Sequence, residues 1–311
     1  MFQRDISLKE YSNYKIGGPA AYFYVVRNVE ELKEAILEWR KLNLGKPIFI
    51  LGGGTNLLIN DEGFDGLVIK PEFKKIEREG NLVRVGSGVL VSEFLNYLIT
   101  EELSGLEWAG GLPGMVGGAI RGNAGAFGGE TKDNIKEVVS LDISLPEPKL
   151  VVRKNSECQF GYRNSIYKIE NGREIILEAV FEFRPYNREE IQKATQEKID
   201  YRNTRHPMDL PSIGSIFKNT DLKSLPESRW KEFEGKIKTD PMPVIPTAYL
   251  VSECDLKGTT RGGAMISPKH PNFIVNFRNA TAADVEALIQ LVKESVKKKF
   301  DINLEEEIIR V

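Results

Sequence analysis

GGLPGMVGGAIRGNAGAFGGE, residues 110–130, gathers nine of the chain's twenty-eight glycines: Gly110, Gly111, Gly114, Gly117, Gly118, Gly122, Gly125, Gly128 and Gly129. Glycine costs backbone entropy on folding, so such density belongs where φ must be positive or where the backbone lies against something flat and large. Two readings fit the stretch alone: a series of tight turns, or a backbone pressed close to a ligand.

A second cluster bears on the choice. Residues 47–51, PIFIL, read as a short buried strand that runs into Gly52, Gly53, Gly54, Thr55 and Asn56. A strand entering a glycine turn has the layout of a phosphate cradle. Amides freed of side chains converge on an anion, and the Thr55 hydroxyl and Asn56 amide can add donors. Two such clusters in one chain favour the ligand reading over the turn reading.

A length of 311 residues suggests two or three domains with room for a well-buried core. The 43 basic and 45 acidic residues leave a formal charge of −2, so no global field favours nucleic acid or an anionic membrane surface. Lys297, Lys298 and Lys299 read as the solvated end of a helix, where cations complement the dipole. No stretch has the length and apolarity of a signal peptide core or a membrane span, and a soluble, cytosolic protein is expected. Cys158 and Cys254, far apart, indicate neither a disulfide framework nor a zinc site and are expected to be reduced and structural. His206 and His270 lack the spacing of a metal pair, and no metal is expected.

Strands are expected at 21–26, 47–51, 67–69, 82–85, 138–143, 150–152 and 175–183. The first helix, capped by Asn28, places Val29, Leu32, Ile36 and Trp39 on one face. Phe94, Leu95, Leu98 and Ile99 mark a second, and Asn187 caps a third that runs to about Arg202. Several strands without intervening helices argue for an α+β fold. Residues 220–246 hold Pro226, Pro241, Pro243 and Pro246, with Pro211 just upstream, and read as an irregular opening to a second domain. Thr281 with Asp284 three residues on starts a strong helix bearing Val285, Leu288, Ile289, Val292 and Val296. A final strand is expected over 303–311.

Three places combine reactive groups with turn signals. FGYRNSIYK (160–168) carries Tyr162 and Arg163 after a glycine, and PSIGSIFKN (211–219) presents Ser215 after Gly214, followed by Lys218 and Asn219. LEEEIIR (304–310) carries Glu305, Glu306 and Glu307, which alternate in a strand so that Glu305 and Glu307 share a face. Each has a plain alternative: a surface ion pair, a turn serine, a charged edge strand. No nucleophile elbow is present, so a hydrolytic triad is not indicated. Gly86, Ser87 and Gly88 imitate a dinucleotide fingerprint, but Val91 stands where its third glycine belongs.

In chain order, NYKIGGPA (13–20), LGGGTNLLIND (51–61), GLPGMVGGAIRGNAGAFGGE, FGYRNSIYK, PSIGSIFKN, LKGTTRGGAMISPKHPNFIVN (256–276) and LEEEI together resemble the UDP-N-acetylenolpyruvoylglucosamine reductase family, flavoenzymes that make UDP-N-acetylmuramate for peptidoglycan. The resemblance implies a flavin domain of the vanillyl-alcohol-oxidase type over residues 1–203, in two α+β subdomains (about 1–70 and 71–203). A substrate-binding α+β domain follows over 204–311. It implies FAD held by Gly52, Gly53, Gly54, Thr55, Asn56 and Leu57 at the pyrophosphate, and by Gly114, Gly117, Gly118, Asn123, Ala124 and Gly125 along the rest of the cofactor. Arg163, Ser215 and Glu307 fall on the family's catalytic positions, and Tyr162, Lys218 and Asn219 where substrate is held. NADPH is the implied hydride donor, and a monomer acting on small molecules is expected.

Ser215 follows Arg163 by 52 positions (215 minus 163), an interval similar to that of the subclass lacking an extra substrate-covering loop. His206 stands where the family tends to carry Gln, and segment 220–246 is longer and richer in proline than the family pattern. The alternatives are a flavin-dependent alcohol or sugar oxidase on the same scaffold and a non-catalytic flavin-binding protein. Many such oxidases tether FAD through an early histidine, whereas no histidine precedes His206 here.

Overall fold

Asn28 sits in extended backbone and its side chain accepts the N–H of Glu31, closing the N-terminus of the helix Val29–Lys41. This computed structural model describes residues 1–239 and 242–311. The chain divides into two compact units, the first made of Met1–Ile6, Ala20–Gly53 and Phe64–Tyr201, the second of Ser7–Pro19, Gly54–Gly63 and Arg202–Val311. This grouping is discontinuous where the sequence suggested contiguous parts. The reason is pairing: residues 57–58 hydrogen-bond in parallel with Ile309–Arg310.

The first unit holds two larger sheets, of four and five strands. One has the strand order Gln3–Ser7, Pro19–Val26, Phe64–Pro71, Ile48–Ile50. Its last two pairings are parallel, with Phe23 and Phe49 both in register with Val68. Leu32, Ala35, Ile36 and Trp39 of the helix pack on Val26, Leu67 and Ile69, so the expected helical stripe is the buried one. The other sheet has the order Lys149–Lys154, Ile135–Asp142, Glu174–Glu182, Leu82–Gly86, Ile76–Glu79, all antiparallel. The helix Val91–Thr100 buries Phe94, Leu95 and Leu98 in a second cluster with Val83, Val85 and Phe181.

In the GSG segment an added Cβ would lie 2.1 Å from the Phe73 carbonyl oxygen at Gly86 and 2.8 Å from the Phe73 nitrogen at Gly88. These glycines serve close backbone packing, which explains a fingerprint that stops short of its third glycine.

In the second unit the helix Ala282–Phe300 starts with the expected capping box between Thr281 and Asp284. Asp61 adds a second cap, its carboxylate accepting the N–H groups of Ala282 (2.8 Å) and Ala283 (3.2 Å). Val285, Leu288, Ile289, Val292 and Val296 are all buried. Tyr14 is fully buried and donates its hydroxyl to the Ile274 carbonyl at 2.7 Å, and its own carbonyl accepts from the Asn276 amide.

Two expectations change in this unit. The strand over 303–311 contracts to Ile309–Arg310 and a bridge between Phe217 and Glu306. The lysines closing the long helix are not all simply solvated, because Lys297 pairs with Asp301 and Lys299 donates to the Glu253 carbonyl. Segment 220–246 is mostly 3-10 turns and short bridges, with Leu222 and Phe233 buried. Pro241 lies outside the described residues. No helix among the described residues is long and apolar enough to cross a membrane. Cys158 and Cys254 are free thiols.

Candidate active site

In the first unit the two glycine clusters meet. A Cβ on Gly53 would lie 2.8 Å from the Cα of Gly114, so the two backbones touch where no side chain fits. Gly52 and Gly118 present the opposite condition: a Cβ on either would find nothing within 4 Å. Gly117, beside Gly118 in the helix Val116–Gly122, hydrogen-bonds the Ser87 carbonyl through its N–H at 2.9 Å. The Ser87 hydroxyl is buried without a hydrogen-bond partner among the described residues. A backbone surface open at Gly52 and Gly118, with a buried hydroxyl beside it, suits a large flat cofactor, so the residues present fit FAD.

Asn123 has a different place from the one expected. It is wholly buried in left-handed backbone, and its amide nitrogen donates to the Gly161 carbonyl (3.0 Å) and to Glu130 (3.1 Å). Its amide oxygen accepts the N–H of Lys132 at 3.1 Å. With every side-chain bond made inside the protein, it lines no surface. It anchors the turn Gly161–Asn164, whose ends exchange hydrogen bonds of 3.0 and 3.1 Å. Arg163 stands at that turn with φ +54, and its guanidinium donates to the Gly125 carbonyl at 2.9 Å and lies 5.4 Å from the Tyr162 ring. Ala124 and Gly125 use backbone groups for the same purpose: the Ala124 carbonyl accepts from Thr131, and Gly125 pairs with Glu130. The structure thus brings Asn123, Gly125, Tyr162 and Arg163 together.

In the second unit Ser215 follows Gly214, which has φ +82 and no atom within 4 Å of an added Cβ. The segment after Ser215 is held on both sides. Ile216 donates to the Asn272 carbonyl and accepts from the Glu307 N–H, both at 2.8 Å. Asn272, buried, accepts the Phe217 N–H at 3.1 Å and donates to its carbonyl at 2.8 Å. Ser215, Lys218, Asn219 and Glu307 are therefore neighbours. Lys218 is paired with Glu305, and the Asn219 side-chain oxygen accepts the N–H of Thr247 at 3.1 Å. Glu306 points to the other side, where it meets Lys293 and Arg310, as alternation predicts.

Gly54 and Asn56 also act within this unit. Gly54 has φ +64 and a Cβ there would lie 1.9 Å from the Tyr11 carbonyl oxygen, so only glycine fits. The Asn56 side chain, expected to face phosphate, donates to the Glu307 carbonyl at 3.1 Å and so fixes the backbone of Glu307. Leu57 is buried and in register with Ile309. Sequence reasoning gave no role to Asn272 or Asp61, although both lie inside quoted motifs. For Asn272 the available signal was a polar residue between Pro271 and Phe273.

His206 and His270 lie edge to face at 5.0 Å, both packed on Phe273. Burial lowers each to about 4, helped for His206 by His270 and for His270 by Lys238.

The fold and the glycine-built backbone surface define an FAD-dependent oxidoreductase, and the comparisons agree. A family model described as "FAD binding domain" matches residues 19–150, and one described as "UDP-N-acetylenolpyruvoylglucosamine reductase, C-terminal domain" matches residues 206–311. The chain is 37% identical over 303 residues to the UDP-N-acetylenolpyruvoylglucosamine reductase of Alkaliphilus metalliredigens (strain QYMF), covering 97% of this chain and 90% of that protein. It is 36% identical over 307 residues to the same enzyme of Lachnoclostridium phytofermentans, again covering 97% and 90%. The crystal structure of the reductase from Thermus caldophilus matches with a TM-score of 0.77 at 30% identity, over 100% of this chain and 99% of that one. The chain belongs to the UDP-N-acetylenolpyruvoylglucosamine reductase family.

Proposed function

We propose that the protein reduces UDP-N-acetylglucosamine enolpyruvate to UDP-N-acetylmuramate at the expense of NADPH, in the cytoplasm. The observation that supports the reading is that Ser215, Lys218, Asn219 and Glu307 lie together around one strand bridge of the second unit. When bound, FAD would supply the hydride chemistry. Gly52, Gly53, Gly54, Thr55, Gly114, Gly117 and Gly118 would hold it, with Asn56 and Asn123 setting the geometry from behind.

Hydride arriving at the β-carbon pushes negative charge through the α-carbon into the carboxylate. Arg163 supplies fixed positive charge and a forked donor for those oxygens. Glu307 faces the same group, and Ser215 delivers a proton to the α-carbon, assisted by Lys218 or a water. Tyr162 and Asn219 position the substrate. In the same reading, residues 1–203 serve the flavin and 204–311 the sugar nucleotide. The reductase relatives leave the oxidase and non-catalytic readings without support of their own.

The test is spectroscopic. Purified protein is expected to carry a yellow flavin absorbance that NADPH bleaches anaerobically and that the enolpyruvyl sugar nucleotide then restores. A bleached spectrum that the sugar nucleotide leaves unchanged would overturn the reading.

A further inference from the structure

Arg163 sits at φ +54, a left-handed conformation that glycine or asparagine enters at least cost and that an arginine keeps only where its surroundings over-determine it. Gln159, in the same segment, has φ +48. The backbone that presents the arginine is therefore strained, and something must hold it.

What holds it comes from outside the turn Gly161–Asn164. On one side the Asn123 amide donates to the Gly161 carbonyl at 3.0 Å. On the other the Lys168 ammonium donates to the carbonyl of Arg163 itself, also at 3.0 Å. Lys168 is brought back over the turn by the one-turn helix Ile166–Ile169. That helix is moored in its own right: the buried Ser165 hydroxyl donates to the Arg121 carbonyl at 2.7 Å, and the Ile166 N–H to the Cys158 carbonyl at 2.8 Å. Arg121 belongs to the helix Val116–Gly122, which also carries Gly117 and Gly118.

An ordinary turn is closed by backbone groups or by a short polar side chain. A half-buried ammonium is a stronger donor than either, and desolvation opposes putting one there. We propose that Lys168 is a positioning residue for Arg163: its ammonium locks the arginine peptide in the left-handed state and so fixes where the guanidinium stands relative to the glycine helix. The inference rests on the role given to Arg163 above. Without the ammonium the Arg163 peptide relaxes to negative φ and the side chain swings from its place, and a misplacement of about 1 Å slows a reaction roughly 100-fold.

The experiment is a double-mutant cycle on the FAD-loaded protein. Anaerobic stopped-flow follows bleaching by NADPH and reoxidation by the enolpyruvyl sugar nucleotide in wild type, Lys168→Met, Arg163→Ala and the two combined. Lys168→Met is expected to bleach at the wild-type rate and to reoxidise about 10- to 100-fold more slowly. In the Arg163→Ala background the same change is expected to add less than about twofold, because a residue that acts through another then has nothing to act on. Lys168→Arg keeps a cationic donor and is expected to recover most of the rate. In a crystal structure of Lys168→Met, Arg163 is expected to leave the left-handed region.

Wild-type reoxidation in Lys168→Met overturns the proposal, as does an Arg163 that keeps its positive φ there. A full effect repeated in the Arg163→Ala background overturns it by giving the lysine a direct role. Equal slowing of both half-reactions, with no recovery in Lys168→Arg, overturns it by making the lysine general support for the fold. If Lys168→Met does not retain flavin, Lys168→Gln takes its place in the cycle. Normal reoxidation in Arg163→Ala would remove the underlying reading, whereas a slow Arg163→Ala beside a normal Lys168→Met removes this proposal alone.

Discussion

Asn272 holds the peptide groups of Phe217 at both ends, accepting the N–H at 3.1 Å and donating to the carbonyl at 2.8 Å, two residues past Ser215. Asn272→Leu removes both bonds and leaves two buried backbone groups unsatisfied, which costs about 2 to 5 kcal/mol. A urea melt should show that loss, and turnover with the sugar nucleotide should fall while NADPH still bleaches the flavin. A midpoint within error of wild type would show the bonds to be idle.

Ser215→Ala separates the two half-reactions. Bleaching by NADPH is expected at the wild-type rate, and reoxidation by the sugar nucleotide is expected to slow by roughly two to three orders of magnitude, the usual worth of a proton donor. Stopped-flow absorbance measures both, and equal slowing of the two would remove the serine from its role.

Arg163→Lys keeps the charge and discards the fork. The lysine ammonium cannot reproduce two parallel donors, and reoxidation should fall by about 100-fold or more. Near-normal reoxidation in the same stopped-flow assay would mean that point charge alone suffices.

Glycine substitutions tell apart packing from ligand clearance. Gly118→Ala adds a methyl group on a helix where, beyond its chain neighbours and the helix's own backbone, no atom of the described residues lies within 4 Å. The apoprotein should melt at or above the wild-type temperature while flavin affinity drops by about tenfold or more, since alanine favours helix and the methyl enters the ligand's space. Gly53→Ala drives a methyl group against Gly114 and should destabilise the apoprotein by about 1 to 3 kcal/mol. Calorimetry of the apoprotein with flavin titration checks both, and the reverse pattern would refute the assignment of the open side.

The histidine pair sets an acid limit. Both rings titrate near 4 in the folded chain against an ordinary 6.5, so between those values the unfolded state binds more protons. The stability they contribute is full above about pH 6.5 and is lost as pH falls toward 4. In urea midpoints taken across that window, His206→Gln should flatten the decline relative to wild type. Parallel curves would show that the pair does not govern it.

Much of the fold was written locally. Asn28 and the Thr281–Asp284 box announce their helices because a cap is decided within four residues, and apolar spacing placed the sheet strands to within a few positions. The site was legible as a set of motifs, and the roles inside it were less so. Asn56 and Asn123 looked like ligand donors, yet the Glu307 carbonyl that Asn56 meets lies 251 positions away and one partner of Asn123, Gly161, lies 38 away, and no local rule counts hydrogen bonds at that range. The strand expected from 303 shrank for a related reason. Phe217 and residues 57–58 each offer only a short edge to pair with.

The parallel pairing of residues 57–58 with 309–310 also carries a kinetic consequence. Their separation of 252 positions (309 minus 57) means that, on a ribosome, the early segment is exposed long before its mate is synthesised. Helix capping by Asp61 waits equally, because the helix it caps begins at Ala282. The second unit is thereby a late-closing structure. Its interior seals only after residues 309–310 have been made, while every residue of the first unit has been made by position 201.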